Sequence, residues 1–143
     1  MSYTEKLDQL LSSYQMHYQN VRSLHWNIKG QAFFELHLKY EELYTRTQVI
    51  IDDLAERILS IGNTPSSQFS VYMQKSLIKE NPIITDGKTG VAYIIDSQKT
   101  LLDLEREILD LSGEADDEGT NALMSDLIRE KEKTNWMFKA YLG

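Results

Sequence analysis

The sequence predicts an all-α protein: a four-helix bundle with one long connection between its second and third helices and a short extra helix inside that connection. Three observations carry this. Apolar residues recur at intervals of three and four along four long stretches, a spacing that strands do not show. Breakers are scarce, with 7 glycines and 2 prolines in 143 residues. Both prolines fall in one central segment, so the long connection is there and nowhere else.

The first helix follows from Leu7, Leu10, Leu11, Tyr14, Tyr18, Val21, Leu24 and Ile28, with Thr4 as its expected opening residue and Gly30 as its end. The second runs through Phe33, Leu36, Tyr40, Leu43, Tyr44, Thr47, Ile50, Ile51, Leu54, Ile58 and Ile61, then stops at Gly62-Asn63 with Pro65 just beyond. Residues 63–88 form the connection, and Phe69 to Ile78 supply its short helix. The third long helix carries Val91, Ile94, Ile95, Leu101, Leu102, Leu104, Ile108, Leu109 and Leu111, and breaks in the polar stretch Gly113 to Gly119. A fourth is expected from about Asn121 to Leu142. Two long helices, a crossover and two more long helices make one domain over residues 1–143.

Composition narrows the function. With 15 Lys+Arg against 22 Asp+Glu the formal net charge is −7, which disfavours polyanions such as DNA and suits a cationic partner, metal ions included. The absence of cysteine removes disulfides, thiolate nucleophiles and cysteine-ligated metal sites. No apolar run approaches a membrane span of about 20 residues, and Met1-Ser2-Tyr3-Thr4 does not open a signal peptide, so the expected compartment is the cytoplasm.

The second helix has three faces when successive residues are turned by ~100°. With His37 at zero, the aliphatic row lies near about 280°, toward the bundle core. Glu35, Lys39, Glu42, Arg46, Asp53, Arg57 and Ser60 lie near about 140° to 200°, with acids four residues ahead of bases, and this arc is expected to face water. From about 0° to 120° lie Phe34, His37, Leu38, Glu41, Thr45, Gln48, Val49, Asp52, Ala55, Glu56 and Leu59. That third face is too apolar for solvent and too charged for a core. It holds one histidine and three carboxylates with no lysine or arginine to neutralise them, so a metal cation fits. Imidazole nitrogen combined with carboxylate oxygen suits iron rather than calcium. His37 with Glu41, and Asp52 with Glu56, are i,i+4 pairs, each able to point at one ion. The two pairs stand ~22 Å apart along the axis, so one helix does not close the site alone. Either pair by itself also reads as ordinary surface or core.

Three stretches carry a resemblance: Leu24-His25-Trp26-Asn27-Ile28-Lys29-Gly30, Phe33-Phe34-Glu35-Leu36-His37 and Asp52-Asp53-Leu54-Ala55-Glu56-Arg57. They resemble the Dps family, the mini-ferritins named as DNA-binding proteins from starved cells, and the likeness extends to the closing Trp136-Met137-Phe138-Lys139-Ala140-Tyr141-Leu142-Gly143. The resemblance implies a ferritin-like bundle that assembles into hollow homo-dodecamers. Such cages oxidise Fe(II), typically with hydrogen peroxide and alternatively with dioxygen, and store the ferric mineral. It assigns His25, His37, Glu41, Asp52 and Glu56 as ferroxidase ligands, His25 and His37 with Glu41 from one subunit and Asp52 with Glu56 from its two-fold mate. Glu41 stands where the family usually has aspartate, one methylene shorter. A cage with impaired ferroxidase activity on that account is one alternative, and a DNA-compacting structural protein is the other. DNA binding is not expected, since family members that bind DNA commonly use a lysine-rich extension and only Lys6 precedes the first apolar row. Trp26 is a packing residue with an added role in accepting an oxidising equivalent, alongside Tyr40 or Tyr44, left open. His17 reads as a core histidine. Asp126, Glu130 and Glu132 read equally as an acidic pore lining or a solvated helix face.

Overall fold

The structure, a computed structural model, describes residues 1–143. It has five helices and no strand: α1 Tyr3–Asn27, α2 Phe33–Ser60, α3 Phe69–Lys75, α4 Gly87–Glu114 and α5 Glu118–Leu142. Capping moves three of the expected starts. α1 opens at Ser2 rather than Thr4, because the Ser2 hydroxyl accepts the Glu5 N–H while the Glu5 carboxylate accepts the Ser2 N–H, a capping box. α4 begins four residues ahead of Val91 with Asp86 accepting from Thr89, and α5 three residues ahead of Asn121 with Asp117 accepting from Thr120. α3 stops at Lys75, short of Ile78.

The helix directions follow from which ends meet. The Lys29 N–H bonds to the Thr85 carbonyl, and Gly87 packs against Leu36 and Ala32, so α2 and α4 start at the same end of the bundle. At the other end the Tyr3 hydroxyl bonds to Asp117, placing the starts of α1 and α5 together. α2 and α4 therefore run one way and α1 and α5 the other. The crossover must travel the whole bundle, a path of ~42 Å for a 28-residue helix. Polar side chains of α1 fasten it on the way. Asp8 accepts from the Ser66 N–H at 2.7 Å and from Lys75 at 2.6 Å, the Ser13 hydroxyl accepts the Leu77 N–H, and Asn20 bridges the Lys79 carbonyl and the Asn81 N–H.

Two apolar clusters fill the bundle. One gathers Leu7, Leu11, Ile50, Leu54, Leu104, Ile108, Met124 and others; the second gathers Val21, Leu24, Leu36, Tyr40, Val91, Ile94 and Phe138. Every long helix contributes a buried polar residue at the level between them: His17, Thr47, Gln98, Lys131 and Asn135. Close by, Glu105 is wholly buried and its Oε2 accepts from the Tyr14 hydroxyl at 2.5 Å and from Lys131 Nζ at 3.2 Å. His17 is 2% exposed and sits edge-on to Tyr14, as the core reading requires.

The charged arc of α2 departs from expectation. Arg46 pairs with Glu130 at 2.9 Å, and Arg57 pairs with Asp117 at 2.7 Å and donates to the Thr120 hydroxyl. These residues reach across to α5 instead of their i−4 acids, because a neighbouring helix lies along that edge and offers fixed, half-buried partners. Lys39 pairs with Glu42 rather than Glu35. On α5, Glu130 is thus spoken for by α2, Glu132 pairs with Arg106 and Asp126 with Arg129.

Candidate metal centre

The short loop 28–32, with Gly30 at φ 102°, brings the last turn of α1 against the first turns of α2. His25 and His37 meet there. Their rings stack with centroids 3.7 Å apart and planes at 12°. His25 Nδ1 lies 2.6 Å from the His37 carbonyl oxygen, and His37 Nδ1 lies 2.8 Å from the His25 carbonyl oxygen. A carbonyl only accepts, so each Nδ1 carries the proton and donates it. Each Nε2 is left with its lone pair directed away from the helix backbone, the tautomer a metal ligand needs. Glu41, one turn beyond His37, places Oε1 3.8 Å from His25 Nε2. That is too long for a hydrogen bond, and it suits an ion lying about 2 Å from each atom.

Two aromatic residues buttress the pair. Phe33 stacks on His37 at 4.9 Å, and Tyr44 meets His25 edge-on at 5.3 Å. The sequence reading did not assign these roles, although Phe33 at i−4 and Tyr44 at i+7 from His37 share its side of the helix.

Asp52 and Glu56 occupy the other end of the same stripe, and both are exposed. Hydrogen bonding to Asp52, with its negative charge close by, raises the Glu56 carboxyl above its ordinary range. Two carboxylates crowded in this way favour a cation between them. Asp52 also lines an open groove of about 640 Å³ with Thr45, Gln48, Val49 and Ala55. Within one chain, then, the structure brings His25, His37 and Glu41 together and leaves Asp52 and Glu56 apart from them. No group of three or more His, Asp or Glu side chains in the single chain encloses an ion. Between the half-sets the stripe exposes large apolar side chains: Phe34 at 84%, Leu38 at 56%, Val49 at 48% and Leu59 at 57%.

A four-helix bundle with this crossover and this histidine-carboxylate stripe is a ferritin-like protein, and the pattern of the ferritin-like domain family matches residues 4–143, so the chain belongs to that family. Within it the chain is a member of the Dps group. It is 38% identical to the DNA protection during starvation protein of Porphyromonas gingivalis, over 94% of this chain and 85% of that protein. It superposes on the crystal structure of the Dps protein of Vibrio cholerae with TM-score 0.97 at 48% identity, covering 99% of this chain and 89% of that one. The Dps protein of Bacillus brevis superposes with TM-score 0.96 at 32% identity, covering 99% and 95%. The Vibrio protein is described as one of the ferritin-like diiron-carboxylate proteins.

Proposed function

We propose that the chain is the subunit of a mini-ferritin that takes up Fe(II), oxidises it with hydrogen peroxide at sites shared between two subunits, and keeps the ferric product inside a dodecameric cage in the cytoplasm. The observation that carries this reading is the split ligand set. His25, His37 and Glu41 converge at one end of an exposed stripe, Asp52 and Glu56 sit ~22 Å further along it, and apolar side chains lie between. If two α2 helices pack antiparallel about a two-fold axis near Arg46 and Thr47, each half-set faces the complementary half-set of the mate, and two equivalent sites form. Burial of Phe34, Leu38, Val49 and Leu59 drives the same contact that completes the ligands.

In such a site the two imidazoles bind Fe(II) through Nε2, and the carboxylates supply anionic charge that favours the ferric product. Two Fe(II) ions give one electron each to peroxide, the O–O bond breaks, and with two waters the products are two ferric oxyhydroxide units and four protons.

Complementation tests the reading. Subunits carrying His37→Ala are refolded together with subunits carrying Asp52→Ala. At each mixed two-fold contact one site lacks both residues and the other keeps every ligand. Ferroxidase activity is expected to recover above that of either mutant alone; no recovery in verified mixed cages places the site within one subunit and refutes the shared arrangement.

A further inference from the structure

Aromatic contacts continue outward from His25 in one line. Tyr44 meets the His25 ring edge-on at 5.3 Å with planes at 77°, and Tyr18 meets Tyr44 at 6.0 Å and 80°. Both tyrosines are half-buried, and Tyr18 opens onto a groove of about 520 Å³ that it lines with Met16, Tyr72 and Phe69. The other aromatic neighbours do not join this line. Tyr40 is fully buried in the apolar cluster beneath α4, its hydroxyl against Gly90. Trp26 is 57% exposed, and the Arg22 guanidinium lies 4.9 Å from its ring centroid. The same guanidinium lies 5.1 Å from the Tyr18 ring.

We propose that Tyr44 and Tyr18 form a one-electron path from the metal centre to the groove beside α1, used when peroxide meets a site that holds a single Fe(II). The proposal rests on the ferroxidase reading above. Peroxide takes two electrons, and one Fe(II) supplies one. Tyr44 supplies the other together with its phenolic proton. The O–O bond breaks, and the products are Fe(III), one hydroxide, one water and a neutral tyrosyl radical, so no hydroxyl radical is released. Tyr18 then gives an electron to the Tyr44 radical and its proton to groove water, while Tyr44 regains a proton from water. The oxidising equivalent ends at the surface, where a small aqueous one-electron reductant reaches it.

Charge explains why the path runs through tyrosine rather than through Trp26, the nearer residue in sequence. An electron-rich ring attracts the Arg22 guanidinium, but an indole that has lost an electron is a cation and is repelled by it. An oxidised phenol sheds its proton and stays neutral, so the same guanidinium opposes it far less.

The test is rapid-freeze electron paramagnetic resonance on the assembled protein, loaded anaerobically with one Fe(II) per site and mixed with one equivalent of hydrogen peroxide. Fe(III) formation and spin-trapped hydroxyl radical are followed in parallel. A tyrosyl signal is expected in the unaltered protein and in Tyr40→Phe. Tyr44→Phe should remove it and raise the hydroxyl adduct, and Arg22→Gln should bring in a tryptophan radical. A tyrosyl signal that survives unchanged in the Tyr18→Phe, Tyr44→Phe double variant overturns the path. So does Fe(III) formed by the unaltered protein without any tyrosyl signal, which leaves the ferroxidase reading standing. Failure to form Fe(III) at all overturns both.

Discussion

His25 and His37 hold each other by one bond made twice: the Nδ1 of each donates to the main-chain carbonyl of the other, at 2.6 and 2.8 Å, beneath rings stacked at 3.7 Å. Each imidazole is oriented by the helix that carries its partner. The spacing of the two Nε2 atoms is therefore set by the closure of the α1–α2 loop and not by free rotation of either side chain.

Loss of one histidine should accordingly disorder the other. We expect His25→Ala and His37→Ala each to weaken Co(II) binding by more than the loss of a single ligand, on the scale of the roughly 10–100-fold seen when the partner that orients a metal ligand is removed. The double variant should lose less than the two single losses combined, because the two residues act as a unit. Titration calorimetry of the three variants checks this, and losses that simply multiply would show that the reciprocal bonds do not couple the pair.

The buried pair Lys131 and Glu105 should be costly to break and cheap to replace. Burial pushes Glu105 up and Lys131 down, against the attraction of each for the other. Lys131→Met strands a carboxylate that is wholly buried, at a cost of ~3–5 kcal/mol. The double variant Lys131→Met, Glu105→Leu should regain most of that loss, because apolar side chains there would join the two clusters on either side. Denaturant unfolding of both variants decides it.

Acid should destabilise the bundle in two stages. Burial, aided by the Lys131 charge, lowers His17 from 6.5 to about 3. The unfolded chain therefore takes up a proton below 6.5 that the folded chain refuses, and stability falls with pH from 6.5 toward 3, by at most about 1.4 kcal/mol per pH unit. Asp117 follows at lower pH. Burial alone would raise it, but hydrogen bonds from Thr120, Tyr3 and Arg57 prevail and hold it at about 2. Its stabilising contribution, present above its ordinary 3.8, is lost as pH falls through 2. Asp8, lowered by Lys75 and Ser66 against its own burial, releases the crossover in the same direction. His17→Phe should flatten the unfolding midpoint between about pH 6 and pH 4, and Asp117→Asn the slope below about pH 4.

Close packing at Gly90 should tolerate no side chain. A Cβ there would stand 2.7 Å from the hydroxyl of Tyr40 and 3.4 Å from a Leu24 methyl, both in a filled core. Gly90→Ala is expected to lower stability by ~1–3 kcal/mol despite its better helix propensity, read as a fall in the thermal midpoint.

Polyanions should bind weakly. Each chain carries −7, and a cage of such chains repels phosphate at moderate ionic strength. No retardation of plasmid is expected at near-physiological salt and neutral pH without added magnesium; a retarded band there would favour the DNA-compacting alternative.

Periodicity alone determined the four long helices, the crossover and the aliphatic face of α2, since the positions that must be buried repeat with the pitch of the helix. The same arithmetic put His37, Glu41, Asp52 and Glu56 on one stripe and separated them into two half-sets. Local capping signals were also present in the sequence, at Ser2 with Glu5, Asp86 with Thr89 and Asp117 with Thr120, but apolar spacing does not register them and the starts of three helices shifted accordingly. Contacts between helices were decided only by the tertiary structure. Arg46 and Arg57 carry the spacing of solvent-exposed ion pairs, yet α5 lies along their edge and takes them. Glu105 and Lys131 are 26 residues apart in sequence and look like ordinary surface charges until α4 and α5 pack and enclose both. The reciprocal bonds of His25 and His37 belong to the same class: spacing within a helix fixes which face a side chain occupies, while the atoms it meets depend on the neighbouring helix and the loop that sets its distance.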